Sequence, residues 1–298
     1  YEVISEVVAS GQVELFFLLN TPEEKKQSTL GKFAKLTRPG RLSQFIRWLP
    51  FKLINAFEWR VFSLFSQEVK EHHAARSIEA FTSNAPLLLH PVFSPSGVVV
   101  RYPDDDIEQI KSLKLDLIIR GNAPGIFKGA IIHAAKDGII SFHHGDNRWN
   151  RGGPPAFWEV YFRKPSTGFI IQILTEELDG GSVLLRGSVP TQRFYAKNIL
   201  TLCIFSYPYL AKLLVDYAAT GVLPAPEKSL PFDGPLLIAP SLLQSVAYVL
   251  KTALLEIKWR TRLNILHKCS PVWNVGFVQA PWQQAVLRAQ LWFGSHRE

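Results

Sequence analysis

The chain is expected to be an α/β protein with a mostly parallel sheet, and three observations lead there. Short β-branched runs alternate with amphipathic stretches. Such a run ends in a glycine- and asparagine-bearing turn where DLIIR at 116–120 enters Gly121-Asn122-Ala123-Pro124-Gly125. A second apolar pair, Ile139-Ile140, leads into a cluster of histidine, carboxylate and glycine, and open α/β sheets carry their chemistry in such strand ends.

Residues 1–10 (YEVISEVVAS) place apolar side chains at helical spacing and stop at Gly11, and 13–19 have the composition of a strand. Helix, glycine and strand make one turn of a βαβ unit, so a first strand is expected upstream of Tyr1. Nothing in these residues reads as a signal peptide. Residues 21–39 are polar and basic, as a loop is. The stretch 42–69 is different: Phe, Trp, Leu and Ile dominate, with Arg47, Lys52 and Arg60 between them. It reads as two helices inserted into the core, one of them started or kinked by Pro50. Such a basic, aromatic insertion suits peripheral contact with a membrane or a lipid-like substrate. It suits better a cap that buries its aromatic face on the domain or on a second subunit of a homodimer. It is too short and interrupted for a membrane span. The adjacent His72 and His73 point apart on a helix and read as solvated rather than metal-binding.

Residues 98–101 form a short strand. Pro103-Asp104-Asp105-Asp106 opens a helix, its acids at the positive end of the dipole and Ile107, Ile110 and Leu113 its buried stripe. A strand at 116–120 and a helix at 127–137, stopped by Gly138, precede the strand 139–142 that delivers His143. The turn at 152–155 begins a helix near 157–162. Residues 166–175 alternate less than a surface strand does and read as a central strand. A further strand follows at 182–186, after a Gly180-Gly181 turn that presents Asp179. A long apolar helix at 199–217 ends at Thr220-Gly221, 223–235 is a proline-rich linker, and 241–257 is a helix continued to 268. The chain thus divides into a core at 1–222 and a linker with a helical, tryptophan-containing extension at 223–298.

A chain of 298 residues with 47% hydrophobic and 19% charged content buries a core and is not disordered. The net charge of +8 admits anionic partners. Cys203 and Cys269 form no motif, which points to a reducing, cytoplasmic setting, and no Cys/His spacing reads as a zinc site.

The functional signal lies in 138–186. Here stand His143, His144, Asp146, Asn147 and Asn150, then Arg151-Gly152-Gly153-Pro154-Pro155, and later Glu176-Glu177-Leu178-Asp179-Gly180-Gly181. Over 116–190 the sequence resembles the formyltransferases that use 10-formyltetrahydrofolate. That family has Asn-x-His at a strand end, Arg-Gly-x-x-Pro in the next loop and Leu-Asp-x-Gly after the following strand. His143 falls on the histidine, Arg151 to Pro155 on the loop element, and Leu178 to Gly181 on the last. The family asparagine is Ser141 here.

The resemblance implies a Rossmann-like formyltransferase core that moves a formyl group from 10-formyltetrahydrofolate to a primary amine without a metal. Histidine titrates near neutral pH, so His143 suits the general base. Asp179 would orient the imidazole or stabilise its charged form. Ser141 would occupy the oxyanion position, where an amide is usual and a hydroxyl is shorter; His144, Asn147, Asn122 or backbone amides can substitute. Asn122 lies in the turn that in the family sits beside the folate pterin. Arg151 can hold an anion or brace its loop, Gly152 admits close backbone approach, and Glu177 and Leu178 precede Asp179 in the acidic turn. An amino sugar is the first expected acceptor. The tail reads helical rather than as the short strands of a tRNA-binding barrel, so no nucleic-acid partner is expected. Two alternatives stand: a folate-dependent hydrolase, and a binding domain that has lost turnover. Ser141 favours the second; His143, Asp179 and the Arg-Gly element count against it.

Overall fold

The structure is a computed structural model that describes residues 2–21, 41–74, 77, 79–82, 84–95, 97–121, 123–177, 181–227 and 236–269. It separates into two compact units, Tyr1–Ser245 and Val246–Glu298.

In the first unit, α1 (Glu2–Ala9) precedes β1 (Leu18–Asn20), which pairs in parallel with β2 (Leu87–Leu89). Between them lie α2 (Arg41–Phe65) and α3 (Gln67–His73). A small sheet has β3 (Val92–Phe93) antiparallel to β4 (Val99–Arg101), and β4 parallel to β6 (Ile126–Phe127). Helix α4 (Asp104–Ser112) precedes β5 (Ile118–Arg120). The sheet that carries the site runs β5, β7 (Ile139–His143), β8 (Ser166–Ile173), β9 (Ser182–Pro190). The β5–β7 pair is parallel, while β7–β8 and β8–β9 are antiparallel. Helix α5 (Phe157–Tyr161) precedes β8, and α6 (Tyr195–Thr220) follows β9. Helix α7 (Leu242–Cys269) includes the described part of the second unit.

Strand β7 is buried on both faces. Ile139 joins Val100, Ile107, Ile110, Phe127 and Ile131 on one side, and Ile140 and Ile171 join Leu210, Leu213 and Leu214 of α6 and Val7 of α1 on the other. Alternation along β7 produces this split, since successive side chains point to opposite faces. By length and composition α6 could cross a membrane, yet its buried leucines lie along the sheet. It ends at Gly221, whose φ of 68° suits a left-handed helix stop.

The α/β class stands, with parallel pairs at β1–β2, β4–β6 and β5–β7. The expectation of a mostly parallel sheet is corrected for the site sheet: β8 and β9 join β7 as an antiparallel hairpin extension, which needs no crossover. The helix expected at 127–137 is replaced by β6 and a single 3-10 turn, Ala130–His133. Gly129, at φ 83°, turns the chain there and leaves room for only that turn before Gly138. Pro50 does not divide the inserted helices. Helix α2 runs through it, and the break falls at Ser66, whose extended backbone and hydroxyl cap Val69 N–H of α3 at 3.4 Å.

The α2 insertion packs on the core. Phe51 is buried, with its ring centroid 5.2 Å from that of Phe157 and 5.1 Å from that of Tyr195. Glu58 is buried as well, and its Oε2 accepts the Ala196 N–H at 2.8 Å. This carboxylate meets the positive end of α6, where negative charge is favoured. Asp106, in the first turn of α4, reaches outside its helix: its carboxylate accepts the His90 backbone N–H at 2.5 Å and lies 3.1 Å from His90 Nδ1.

Candidate active site

Strand β7 delivers the candidate base. Its sequence, IISFH, places Ile139, Ser141 and His143 on one face and Ile140 and Phe142 on the other. His143 ends the strand at the carboxyl edge of the parallel β5–β7 pair, the edge at which open α/β sheets bind ligands. Its ring is buried, and Nε2 lies 3.2 Å from the backbone carbonyl oxygen of Asn150. A carbonyl only accepts, so in the neutral ring Nε2 carries the proton and Nδ1 holds the lone pair. Gly145 makes this packing feasible: a Cβ there would stand 2.8 Å from His143 Nε2.

Ser141 is also buried, two residues back on the same face. Its hydroxyl donates to the Phe142 carbonyl at 3.1 Å, and its partner in the register is Gln172 of β8. Gln172 is buried with Oε1 lacking a hydrogen-bond partner among the described residues. The sequence reading missed this amide. A lone amide inside the apolar run FIIQIL was the available signal.

The loop after β7 is held by ions. Asp146 accepts from Arg148 Nε at 2.9 and 3.0 Å and from Arg186 on β9 at 2.7 Å. Burial works against ionisation of Asp146; the Arg148 side-chain and backbone hydrogen bonds and the Arg186 charge outweigh it and hold the carboxyl below its ordinary range. Arg186 also donates to Asn147 Oδ1 at 3.0 Å and to Glu227 Oε2 at 2.9 Å. Glu227 is thereby tied to β9, and its N–H donates to the Val183 carbonyl at 2.7 Å. Register places Arg186 and Ser188 opposite Ile170 and Gly168, and so on the face of His143. A cleft of about 280 Å3 opens there, lined by Asp146, Arg148, Trp149, Ser166 and Arg186 among others, next to His143 along the sheet but not lined by it.

Arg151 braces the loop, its Nε donating to the Asn147 carbonyl at 3.1 Å. Gly152, at φ 112°, admits a close approach by the chain itself: a Cβ there would lie 2.2 Å from the Leu237 carbonyl oxygen. Gly153 N–H donates to that oxygen at 3.0 Å and Leu237 N–H to the Arg151 carbonyl at 3.1 Å. His144 points to the opposite side of the strand from His143. It stacks on Phe142 at 5.2 Å, and its Nε2 lies 3.7 Å from Cys203 Sγ. Burial, with lesser contributions from His143 and His72, pushes its pKa down to about 4, so it is neutral at physiological pH.

Glu177 is exposed, with its N–H on Thr175 Oγ1 at 3.3 Å. The chain leaves β8 toward it beside Ile139, where Leu174 N–H meets the Ile139 carbonyl at 2.8 Å, at the far end of β7 from His143. Asn122, Leu178 and Asp179 lie outside the described residues. Among the described residues no group of three or more His, Cys, Asp or Glu is arranged to hold a metal.

Comparison with known proteins bears on this site. No family model matches the chain. A methionyl-tRNA formyltransferase of Geobacillus sp. (strain WCH70) is 31% identical over 100 residues, which is 34% of this chain and 30% of that protein. Over that stretch the chain is similar to the methionyl-tRNA formyltransferases. The methionyl-tRNA formyltransferase of Geobacillus thermodenitrificans (strain NG80-2) is 31% identical over 102 residues, 34% of this chain and 31% of its own. The match thus spans less than a third of these relatives' length. Among solved structures, HypX from Aquifex aeolicus in complex with tetrahydrofolic acid superposes with a TM-score of 0.38 at 16% identity, covering 55% of this chain and 29% of that one. A sugar N-formyltransferase from Shewanella sp FDAARGOS_354 gives 0.37 at 20% identity, over 50% of this chain and 64% of the other.

Proposed function

We propose that this chain is an enzyme that transfers a formyl group from 10-formyltetrahydrofolate to a primary amine, with His143 as the general base. The observation that carries this is the position of His143. It ends a strand parallel to β5, in a chain similar over about 100 residues to methionyl-tRNA formyltransferases, and its Nε2–H is committed to Asn150, so that Nδ1 is the basic nitrogen.

In the reaction the amine nitrogen attacks the formyl carbon. Nδ1 of His143 takes the amine proton as the new C–N bond forms. The carbonyl oxygen becomes an oxyanion and needs a donor; Gln172, an amide beside Ser141 in the register, is of the right kind, and Ser141 supplies a hydroxyl. Collapse breaks the bond from the formyl carbon to the folate nitrogen, and the imidazolium returns the proton to that nitrogen. Asp179 stands on the family's carboxylate position by resemblance only, and it lies outside the described residues.

An amino sugar is the favoured acceptor. Helix α7, Leu242–Cys269, is the described part of the extension expected to be helical. Incubation of the protein with 10-formyltetrahydrofolate and a panel of nucleotide-linked amino sugars tests this, with mass spectrometry of the acceptor. A formylated amine is the expected product. Free formate without a formylated amine would indicate hydrolysis instead, and no consumption of the donor would refute the assignment.

A further inference from the structure

Glu159 is the one carboxylate buried beside the candidate base among the described residues. It sits in α5, within the run FWEVY, and is 0% exposed. Its Oε1 accepts Asn150 Nδ2 at 3.4 Å. Asn150 is 1% exposed, and its backbone carbonyl is the group that meets His143 Nε2. Two oxygens remain without a hydrogen-bond partner, Glu159 Oε2 and Asn150 Oδ1, one on each of these paired side chains.

Buried acceptors without donors are rare in folded proteins. Two of them on adjacent paired side chains call for a single proton. A hydrogen on Glu159 Oε2 would donate to Asn150 Oδ1 while Asn150 Nδ2 donates to Oε1. Carboxylic acid and carboxamide then form a two-bond ring in which each heteroatom is satisfied. An ionised carboxylate could not do this and would leave Glu159 Oε2 and Asn150 Oδ1 without a donor.

We propose that Glu159 is a positioning residue for His143, locked to Asn150 as a cyclic acid–amide pair that holds the Asn150 carbonyl against His143 Nε2 and so fixes the ring as the Nε2–H tautomer. Burial, foremost among its causes, raises the Glu159 pKa, in keeping with a protonated acid. The catalytic consequence rests on the assignment of His143 as base; the acid–amide pair does not.

Infrared difference spectroscopy of wild type against Glu159→Gln at neutral pH reads the pair directly. Loss of a protonated-carboxyl carbonyl band is expected, and loss of ionised-carboxylate bands would overturn the proposal. Glutamine offers the same donor and acceptor in the ring, so Glu159→Gln keeps transfer activity and the Nε2–H tautomer seen by ¹⁵N NMR of the His143 ring. Glu159→Leu mixes the tautomers and lowers kcat on the order of tenfold to a hundredfold, as misplacement of a reacting group does. If Glu159→Gln behaves like Glu159→Leu, or if Glu159→Leu leaves the tautomer unchanged, the proposal fails. The spectroscopic arms hold whether or not a formyl acceptor is found, so they separate failure here from failure of the proposed function.

Discussion

Gly145 and His143 are packed so closely on the Nε2 side of the ring that no side chain fits between them: a Cβ at 145 would lie 2.8 Å from Nε2 and 3.5 Å from Cδ2. The backbone of Asn150 stands behind the same point, its carbonyl oxygen 3.6 Å from that Cβ. Gly145→Ala must therefore displace the ring or the loop. Activity is expected to fall on the order of a hundredfold, because a shift of about 1 Å in a reacting group has that effect. Steady-state kinetics with circular dichroism checks this; full activity in a folded Gly145→Ala protein would show that the ring position is not critical.

Asp146→Asn removes the charge on which Arg148 and Arg186 converge. A loss of about 1–3 kcal/mol at neutral pH is expected, since buried or half-buried charge-assisted hydrogen bonds lose that much when one partner goes. The depressed Asp146 pKa fixes the sign of the pH effect. Its stabilisation is complete above the unfolded carboxyl pKa and is lost as pH falls through the lower, folded value. Urea midpoints of wild type and variant should converge in strong acid and diverge at neutral pH.

His144 has the opposite linkage to a paired histidine. Its folded pKa of about 4 lies below the ordinary 6.5, so the unfolded chain binds the extra proton between these values. Stability conferred by the neutral ring is therefore full above about 6.5 and declines as pH drops toward 4, by on the order of 3 kcal/mol. His144→Phe, which preserves the stack on Phe142, should flatten the stability profile over that window. An unchanged slope would show that the ring is solvated.

Asn198 joins α6 to the site hairpin and to the start of α5. It is wholly buried: Nδ2 donates to the Ala156 carbonyl at 2.8 Å, and Oδ1 accepts Gln192 N–H at 2.9 Å and Thr167 Oγ1–H at 3.2 Å. Asn198→Leu strands these groups and should cost about 3 kcal/mol. A thermal-denaturation shift of several degrees checks it.

The sequence disclosed the strand that carries His143, the central place of β8 and the extent of α7, because each has a periodic or compositional signature. It disclosed less where contacts are made across long separations. FWEVY reads as an apolar helix with one acid, yet the burial of Glu159 against Asn150 depends on how the loop folds back. Arg186 ends the strand expected at 182–186, and only the pairing of β8 with β9 brings it to Asp146. Gly152 promised a close approach to a ligand, and the approach seen is to Leu237, 85 positions away along the chain. Local glycine patterns reveal that something comes near, but not what.

Titration of the ¹⁵N-labelled histidine rings with a non-hydrolysable 10-formyltetrahydrofolate analogue, followed by NMR, tests the central assignment most directly. A saturable shift of the His143 ring signals, larger than that of any other histidine and abolished as a binding response in Gly145→Ala, is the expected result. His143 signals unmoved at millimolar analogue would contradict the account.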